Sequence, residues 1–176
     1  FFFFSSAMMG SHVVVFLLVC RRSWSLGPDR RRSMDLCSRL KEAPSARAVS
    51  VLLEENPEVV NTYVVSAAMT RYRRLKKPLE SLSLFLRAKE ALGLKQNVFT
   101  YGEAISAKVQ LRDLAGALGL FDDLVEEGIL PNEVTYNSLI HACGKGGRWE
   151  KALDLFAEAT SRGLRPSEIT YNALIS

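Results

Sequence analysis

The sequence predicts an all-α protein, a solenoid of stacked helix pairs, and three observations carry that prediction. The chain resembles itself at a fixed spacing. Thr100, Tyr101, Ile105 and Ala107 return 35 residues later as Thr135, Tyr136, Ile140 and Ala142, and Ala117, Leu118, Leu120 and Phe121 return as Ala152, Leu153, Leu155 and Phe156. Self-similarity at such a period means stacked supersecondary units rather than one knotted core. Within a copy, apolar residues fall at i, i+3, i+4 and i+7, one face of a helix, and do so twice. Each copy then closes on a glycine with a proline three residues on, Gly128 with Pro131 and Gly163 with Pro166, the punctuation of a helix end.

Composition narrows the class. Of 176 residues, 48% are hydrophobic, which supports a core and argues against global disorder. The net charge of +4 is uneven: residues 1–41 hold seven Lys and Arg against Asp29 and Asp35, whereas 42–176 hold sixteen against seventeen acids. The basic pI therefore belongs to the N-terminal arm and is no argument that the folded part binds nucleic acid. Cys20, Cys37 and Cys143 have no paired spacing, and His12 and His141 are too few and too distant for a zinc site, so a reducing compartment and no metal cofactor are expected.

The elements follow in order. Residues 1–34 read as an arm outside the fold. They open Phe1-Phe2-Phe3-Phe4 with no initiator methionine, carry a short apolar run from Val13 to Cys20, and continue rich in Arg and Ser. The run is too short to span a bilayer, and with the Arg/Ser segment it suits a signal-plus-transit leader; an artefactual leader is the other reading. Residues 35–59 form a degenerate unit or a cap, with Leu36, Leu40, Val49, Leu52 and Leu53 on apolar faces. Residues 60–97 are a looser, longer copy, in which Leu82, Phe85 and Gly93 echo Leu118, Phe121 and Gly128; Tyr63 to Tyr101 is 38 residues, and the register at its start is open. Residues 98–132 hold Tyr101, Ala104 and Ile105, then Ala117, Leu120, Phe121 and Leu124. In 133–167, Tyr136, Leu139, Ile140 and Cys143 make the first helix, Gly144, Gly146 and Gly147 break it, and Ala152, Leu155, Phe156 and Ala159 make the second, with Trp149 expected at the hairpin turn. Residues 168–176 begin a further copy, so the chain is expected to be a piece of a longer array.

The period alone does not choose a family. The Trp-x-x-Leu-Gly-x-x-Tyr pattern of tetratricopeptide repeats is absent. Instead Thr135-Tyr136-Asn137-Ser138-Leu139-Ile140 opens the first helix, Ala152-Leu153-Asp154-Leu155-Phe156 lies in the second, and Gly163-Leu164-Arg165-Pro166-Ser167 closes the unit. This strongly resembles the pentatricopeptide repeat, well over 98–176 and loosely over 60–97. The resemblance implies a right-handed α-solenoid that binds single-stranded RNA in chloroplasts or mitochondria, reading about one base per repeat.

The resemblance also implies a site. Asn137 would read a base with Ser167 as its partner, a pairing that leans towards cytosine, while Val134 and Ile169 sandwich the base. In 98–132 the matching residues are Gly102 and Asn132, with Phe99 as the apolar stack; Gly102 has no side chain to reach a base. In the looser unit Val64, or Tyr63 in the alternative register, precedes Asn97. Asn172 opens the last unit. Asn137 could equally bond only to backbone near its helix start. Arg71, Arg73, Arg74, Lys76 and Lys77, placed in an enlarged connection of the loose repeat, are either a solvated loop or phosphate contacts. Asp122, Asp123, Glu126 and Glu127 read as solvated surface. No catalytic constellation appears, Gly144–Gly147 is not a phosphate loop, and no membrane role is expected of the mature form. Two functions remain: an RNA binder in organellar RNA processing, stability, editing or translation, with other RNA-processing proteins as partners, or a protein–protein scaffold.

Overall fold

The computed structural model describes residues 28–164 and 170–172, which are helical apart from short turns. Helix α1 (Pro28–Glu42) pairs with α2 (Ala46–Glu55), and a 3₁₀ turn (Pro57–Val59) leads on. Helix α3 (Thr62–Arg74) pairs with α4 (Pro78–Leu86), which runs into a π turn (Arg87–Ala91). Helix α5 (Val98–Gln110) pairs with α6 (Leu114–Glu126), and α7 (Glu133–Lys145) with α8 (Trp149–Ser161). Among the described residues there is no strand.

The order of contacts makes a solenoid. The first helices α1, α3, α5 and α7 pack on one another in a continuous row, and each second helix packs on its own partner and on the next first helix. The core is therefore a ribbon running along the stack. It passes from Leu36, Leu40, Val49 and Leu53 through Val65, Met69, Phe85 and Tyr101 to Ile105, Phe121, Tyr136, Leu139, Ile140 and Leu155.

One aromatic contact recurs between units. Phe85 meets Tyr101 edge-on at 5.1 Å between ring centroids, Phe121 meets Tyr136 at 5.4 Å, and Phe156 meets Tyr171 at 5.6 Å. In each case a second-helix Phe packs on the first-helix Tyr of the next unit. Edge-to-face rings contribute about 0.5–1.5 kcal/mol beyond the area they bury. The Tyr hydroxyls, drawn inward with their rings, end on carboxylates. Tyr101 Oη donates to Glu127 Oε1 at 2.8 Å and accepts from Lys89 Nζ at 2.9 Å, and Tyr136 Oη donates to Glu158 Oε1 at 2.9 Å. Burial, with the Glu158 carboxylate beside it, pushes the Tyr136 hydroxyl up to about 12. Lys89 holds the Glu127 carboxyl below its ordinary value. Glu127 is thus a structural acid rather than the plain surface residue its sequence context suggests.

Each first helix from α3 on starts in the same way. Asn61, Asn97 and Asn132 are N-caps in extended backbone, and their side-chain oxygens accept backbone N–H groups of the first turn, with distances of 3.0–3.1 Å. A short Asn side chain satisfies donors that the helix geometry leaves without partners. These caps fix the true register of the loose unit: Asn61 to Asn97 is 36 residues and Asn97 to Asn132 is 35. Val65, not Tyr63, stands where Tyr101 and Tyr136 stand. The loose copy is longer by a single residue.

That residue is absorbed at the end of α4. Phe85 and Phe121 are 36 apart, but Gly93 and Gly128 are 35 apart, so the insertion lies between them, where the π turn is. There Leu92 N–H donates to Arg87 O and Leu94 N–H to Ala88 O, five and six residues back. After α6 the corresponding bond, Ile129 N–H to Leu124 O, spans only five. A π turn is the usual way a helix accommodates one extra residue.

Several expectations are corrected. The stack starts at Pro28, inside the segment 1–34 assigned to the arm. Arg30, Arg31 and Arg32 are exposed, but Ser33 next to them is buried, donating to Val59 O at 3.3 Å and accepting from Asn61 Nδ2 at 3.1 Å. Composition registered the outer face alone. Residues 1–27, with the leader reading and Cys20, lie outside the described residues. The basic run is not in an enlarged connection: Arg71, Arg73 and Arg74 form the last turn of α3, and Lys76 and Lys77 the short turn after it. Gly144 lies within α7, and the break comes at Gly146 and Gly147. Trp149 begins the second helix, α8, as expected, but 63% of its surface is exposed and it does not pack into the turn.

Left-handed backbone recurs at both kinds of turn. Gly128, with φ of 73°, closes α6 by the C′ arrangement. The equivalent hairpin-turn positions are Lys76, Arg112 and Gly147, with φ of 55°, 58° and 69°. A residue with a Cβ is strained there by about 1 kcal/mol. Arg112→Gly is therefore expected to stabilise the protein by about 0.5 kcal/mol, and Gly128→Ala to destabilise it by about 1 kcal/mol, in denaturant-unfolding titrations. Tyr136→Phe should cost about 1 kcal/mol, because it keeps the ring contact and loses the Glu158 bond. Phe121→Ala should cost about 3–5 kcal/mol. Equal losses for these two would show that the ring contact does not carry the junction.

Candidate nucleic-acid interface

The row of first helices carries a repeated surface pattern set by the caps. Two residues after each cap stands an apolar side chain at the helix start: Tyr63, Phe99 and Val134. Apolar residues of this size are normally buried, yet these are 66%, 64% and 67% exposed. One helical turn further, on the same side, stand Ser66, Gly102 and Asn137, all half-buried. Asn172 occupies the same position in the next copy and is exposed. Each first helix from α3 to α7 thus offers an exposed apolar group and, beside it, a polar or vacant position.

The corrected register changes one assignment. Val64 is fully buried and cannot face a ligand, and Tyr63 belongs to the apolar ladder with Phe99 and Val134. The position equivalent to Gly102 and Asn137 is Ser66, which sequence reasoning missed. The cap asparagine at Asn61, 36 residues before Asn97, was the signal that could have found it.

Asn137 does not merely bond to its own backbone. Its Oδ1 accepts from Thr170 Oγ1 of the next copy, and Thr170 is itself buried. The bond fixes how the amide is turned, and an amide presents both acceptor and donor edges. Gly102 has the same neighbour one unit earlier: a Cβ built there would lie 3.8 Å from Thr135 Oγ1, ordinary contact distance. A side chain would fit. Asn97 and Asn132 spend their side-chain oxygens on capping, Asn97 to Phe99 N–H and Thr100 N–H, Asn132 to Thr135 N–H and Thr135 Oγ1. Their NH₂ groups remain the part that could address a ligand. Ser167 and Ile169 lie outside the described residues.

The basic residues divide. Arg73 Nε is 2.8 Å from Glu103 Oε2, an ion pair between neighbouring first helices, and Thr70 Oγ1 donates to the other oxygen of Glu103. Arg71 donates from Nε to Ala43 O at 2.8 Å. Lys77 is 3.9 Å from Glu80, and Arg74 and Lys76 are exposed. Burial pushes the Cys37 and Cys143 thiols up, away from reactivity. Among the described residues no group of His, Cys, Asp and Glu could hold a metal ion, and no helix is long and apolar enough to cross a membrane.

Comparison with known proteins agrees with this geometry. The model of the PPR repeat family matches residues 96–145 and 131–176. A putative pentatricopeptide repeat-containing protein of Arabidopsis thaliana is 26% identical over 128 residues, covering 70% of this chain and 18% of the relative. A chloroplastic one from the same plant is 33% identical over 87 residues, covering 49% of this chain and 17% of the relative, and a mitochondrial one is 25% identical over 140 residues, covering 68% and 21%. The chain spans about a fifth of the length of these relatives. Among solved structures, the maize pentatricopeptide repeat protein PPR10 superposes with a TM-score of 0.64 at 18% identity, over 81% of this chain and 21% of that one. PPR10 in complex with an 18-nt psaJ RNA element gives 0.69 at 21% identity, over 93% and 24%. The PPR domain of Arabidopsis thaliana protein-only RNase P 1, in complex with tRNA, gives 0.62 at 14% identity, over 93% and 77%. With the family model on its repeats and the same stacked helix pairs in its fold, the chain belongs to the pentatricopeptide repeat family.

Proposed function

We propose that this chain binds single-stranded RNA along its row of first helices, as a segment of an organellar pentatricopeptide array. The observation that carries the reading is the exposed ladder of Tyr63, Phe99 and Val134 with Ser66, Gly102 and Asn137 one turn away. Unpaired bases stack on apolar and aromatic faces, each stack worth about 1–3 kcal/mol, while polar groups one turn on meet the base edges. A duplex hides those edges and is too stiff to thread the ladder. Asn137 with Ser167, and Asn172, are the base readers of the last units, Val134 and Ile169 the sandwiching pair, and Ser66 with Asn97 the reader of the corrected unit. Gly102 with Asn132 leaves one base held by stacking alone.

The chain supplies recognition, and partners supply any chemistry in RNA processing, stability, editing or translation. The chloroplastic and mitochondrial names of its relatives support an organellar setting. With roughly one nucleotide per repeat, a few repeats hold only a few nucleotides, so the affinity of this segment alone is low.

Gel-shift titration with short RNAs should show salt-sensitive binding that favours single strand over duplex; equal binding would count against the mechanism and favour a protein scaffold. Asn137→Thr combined with Ser167→Asp should move the preference at one base towards guanine. Ser66→Asn should change base preference at another position without loss of stability. Val64→Ala, by contrast, should lower stability by about 1–3 kcal/mol and leave preference alone. The reverse pattern would return the reader position to Val64.

A further inference from the structure

The first helix pair has no base reader assigned, yet it borders a cationic hollow beside the ladder. Between α1 and α3 lies a groove of about 170 Å³ lined by Lys41, Tyr63, Ser66, Ala67, Thr70, Arg71 and Arg74. Three of its side chains are cations and none is an acid. One lining residue, Thr70, donates to the Glu103 carboxylate, and that carboxylate is also paired with Arg73 at 2.8 Å. The groove also contains the exposed aromatic and the hydroxyl of the corrected unit, Tyr63 and Ser66. Charge, stacking surface and base-edge group therefore meet in one place.

We infer that this groove is a phosphodiester subsite, in which Lys41, Arg71 and Arg74 hold the backbone of the nucleotide whose base lies against Tyr63 and Ser66. The inference rests on the RNA-binding reading above. It gives the degenerate pair α1–α2 a role: α1 contributes a cation, not a base reader. Arg71 is the fixed member. Its Nε–H donates to Ala43 O across the α1–α2 turn, which locks the guanidinium against the groove wall. A planar fork has five N–H donors and suits phosphate oxygens with those that remain. Lys41 and Arg74 approach from opposite helices, so a phosphate between them touches both. Arg71 and Arg74 stand in a basic run that the sequence shows, whereas Lys41 is brought to them only by the packing of α1 on α3.

The experiment uses the full chain and a short labelled single-stranded RNA, followed by fluorescence anisotropy across a salt series. Lys41→Gln with Arg74→Gln is the test variant, since neither side chain anchors the fold as Arg71 does; Lys151→Gln on α8 is the control. Each phosphate contact released contributes about 0.7 to the slope of log K against log salt for single strands. The double variant is expected to bind at least tenfold more weakly at low salt and to flatten the slope by about 0.7–1.4, with an unchanged unfolding curve and no effect from Lys151→Gln. Inorganic phosphate should displace the RNA no better than chloride at equal ionic strength, because the nucleotide is held by base and backbone together. A double variant with wild-type affinity and slope overturns the subsite and leaves the RNA-binding reading standing. Selective displacement by inorganic phosphate overturns it in favour of a free-anion site. A wild-type chain that does not prefer single-stranded RNA overturns both.

Discussion

The rest of the structure depends on the edge-on contact between a second-helix phenylalanine and the first-helix tyrosine of the following unit. Phe85 on Tyr101, Phe121 on Tyr136 and Phe156 on Tyr171 repeat with centroid distances within 0.5 Å of one another. A helical hairpin cannot cover its own apolar face, so the neighbour must do so. The aromatic pair decides where that neighbour sits. A rigid ring pair leaves less freedom than two flexible aliphatic chains would. Because the tyrosine stands two residues after the apolar ladder position and one before the reader position, fixing the tyrosine fixes both. The spacing of the surface pattern follows from the core.

The capping asparagines join this core to the surface. In Asn97 and Asn132 the same side chain satisfies first-turn donors and sits at the edge of the ladder. Removing the oxygen would unravel the helix start that presents Phe99 or Val134. The capping role thus occupies one end of each amide, its oxygen. The carboxylates are used in a comparable way. Glu127 and Glu158 accept the tyrosine hydroxyls and pair with Lys89 and Arg162, so a face that composition marks as merely acidic is partly committed to holding the stack.

The fold was legible in the sequence because each helix pair repeats its apolar spacing and its terminal glycine, and these are local signals. Tyr136, Leu139, Ile140 and Cys143 are buried on one face of α7 as the i, i+3, i+4, i+7 pattern requires. The surface pattern of the candidate site was legible where the period is clean, with Phe99 and Val134 exposed and Asn137 half-buried one turn on. It was misread at Ser66, because the reading aligned Tyr63 with Tyr101 on residue type, whereas the capping geometry aligns Asn61 with Asn97. A valine at position 65 fills the role of tyrosine, and identity hid the equivalence. Start of the stack was misjudged for a related reason: Arg30 to Arg32 dominate the composition, while the single buried hydroxyl of Ser33 records the packing. Lys41 was invisible to any one-dimensional reading, since its neighbours in the groove come from another helix.

The π turn after α4 acts as a length buffer. Placed at the C-terminal end of a second helix, just before the chain turns back to the next cap, it takes up an added residue as a local widening and passes none of it to the row of first helices. Insertions there are silent in three dimensions, although they shift every downstream match in an ungapped comparison. An array built this way can drift in length along its second helices while the pitch of its first helices stays constant, so correspondences between copies are better counted from helix starts than by a fixed stride.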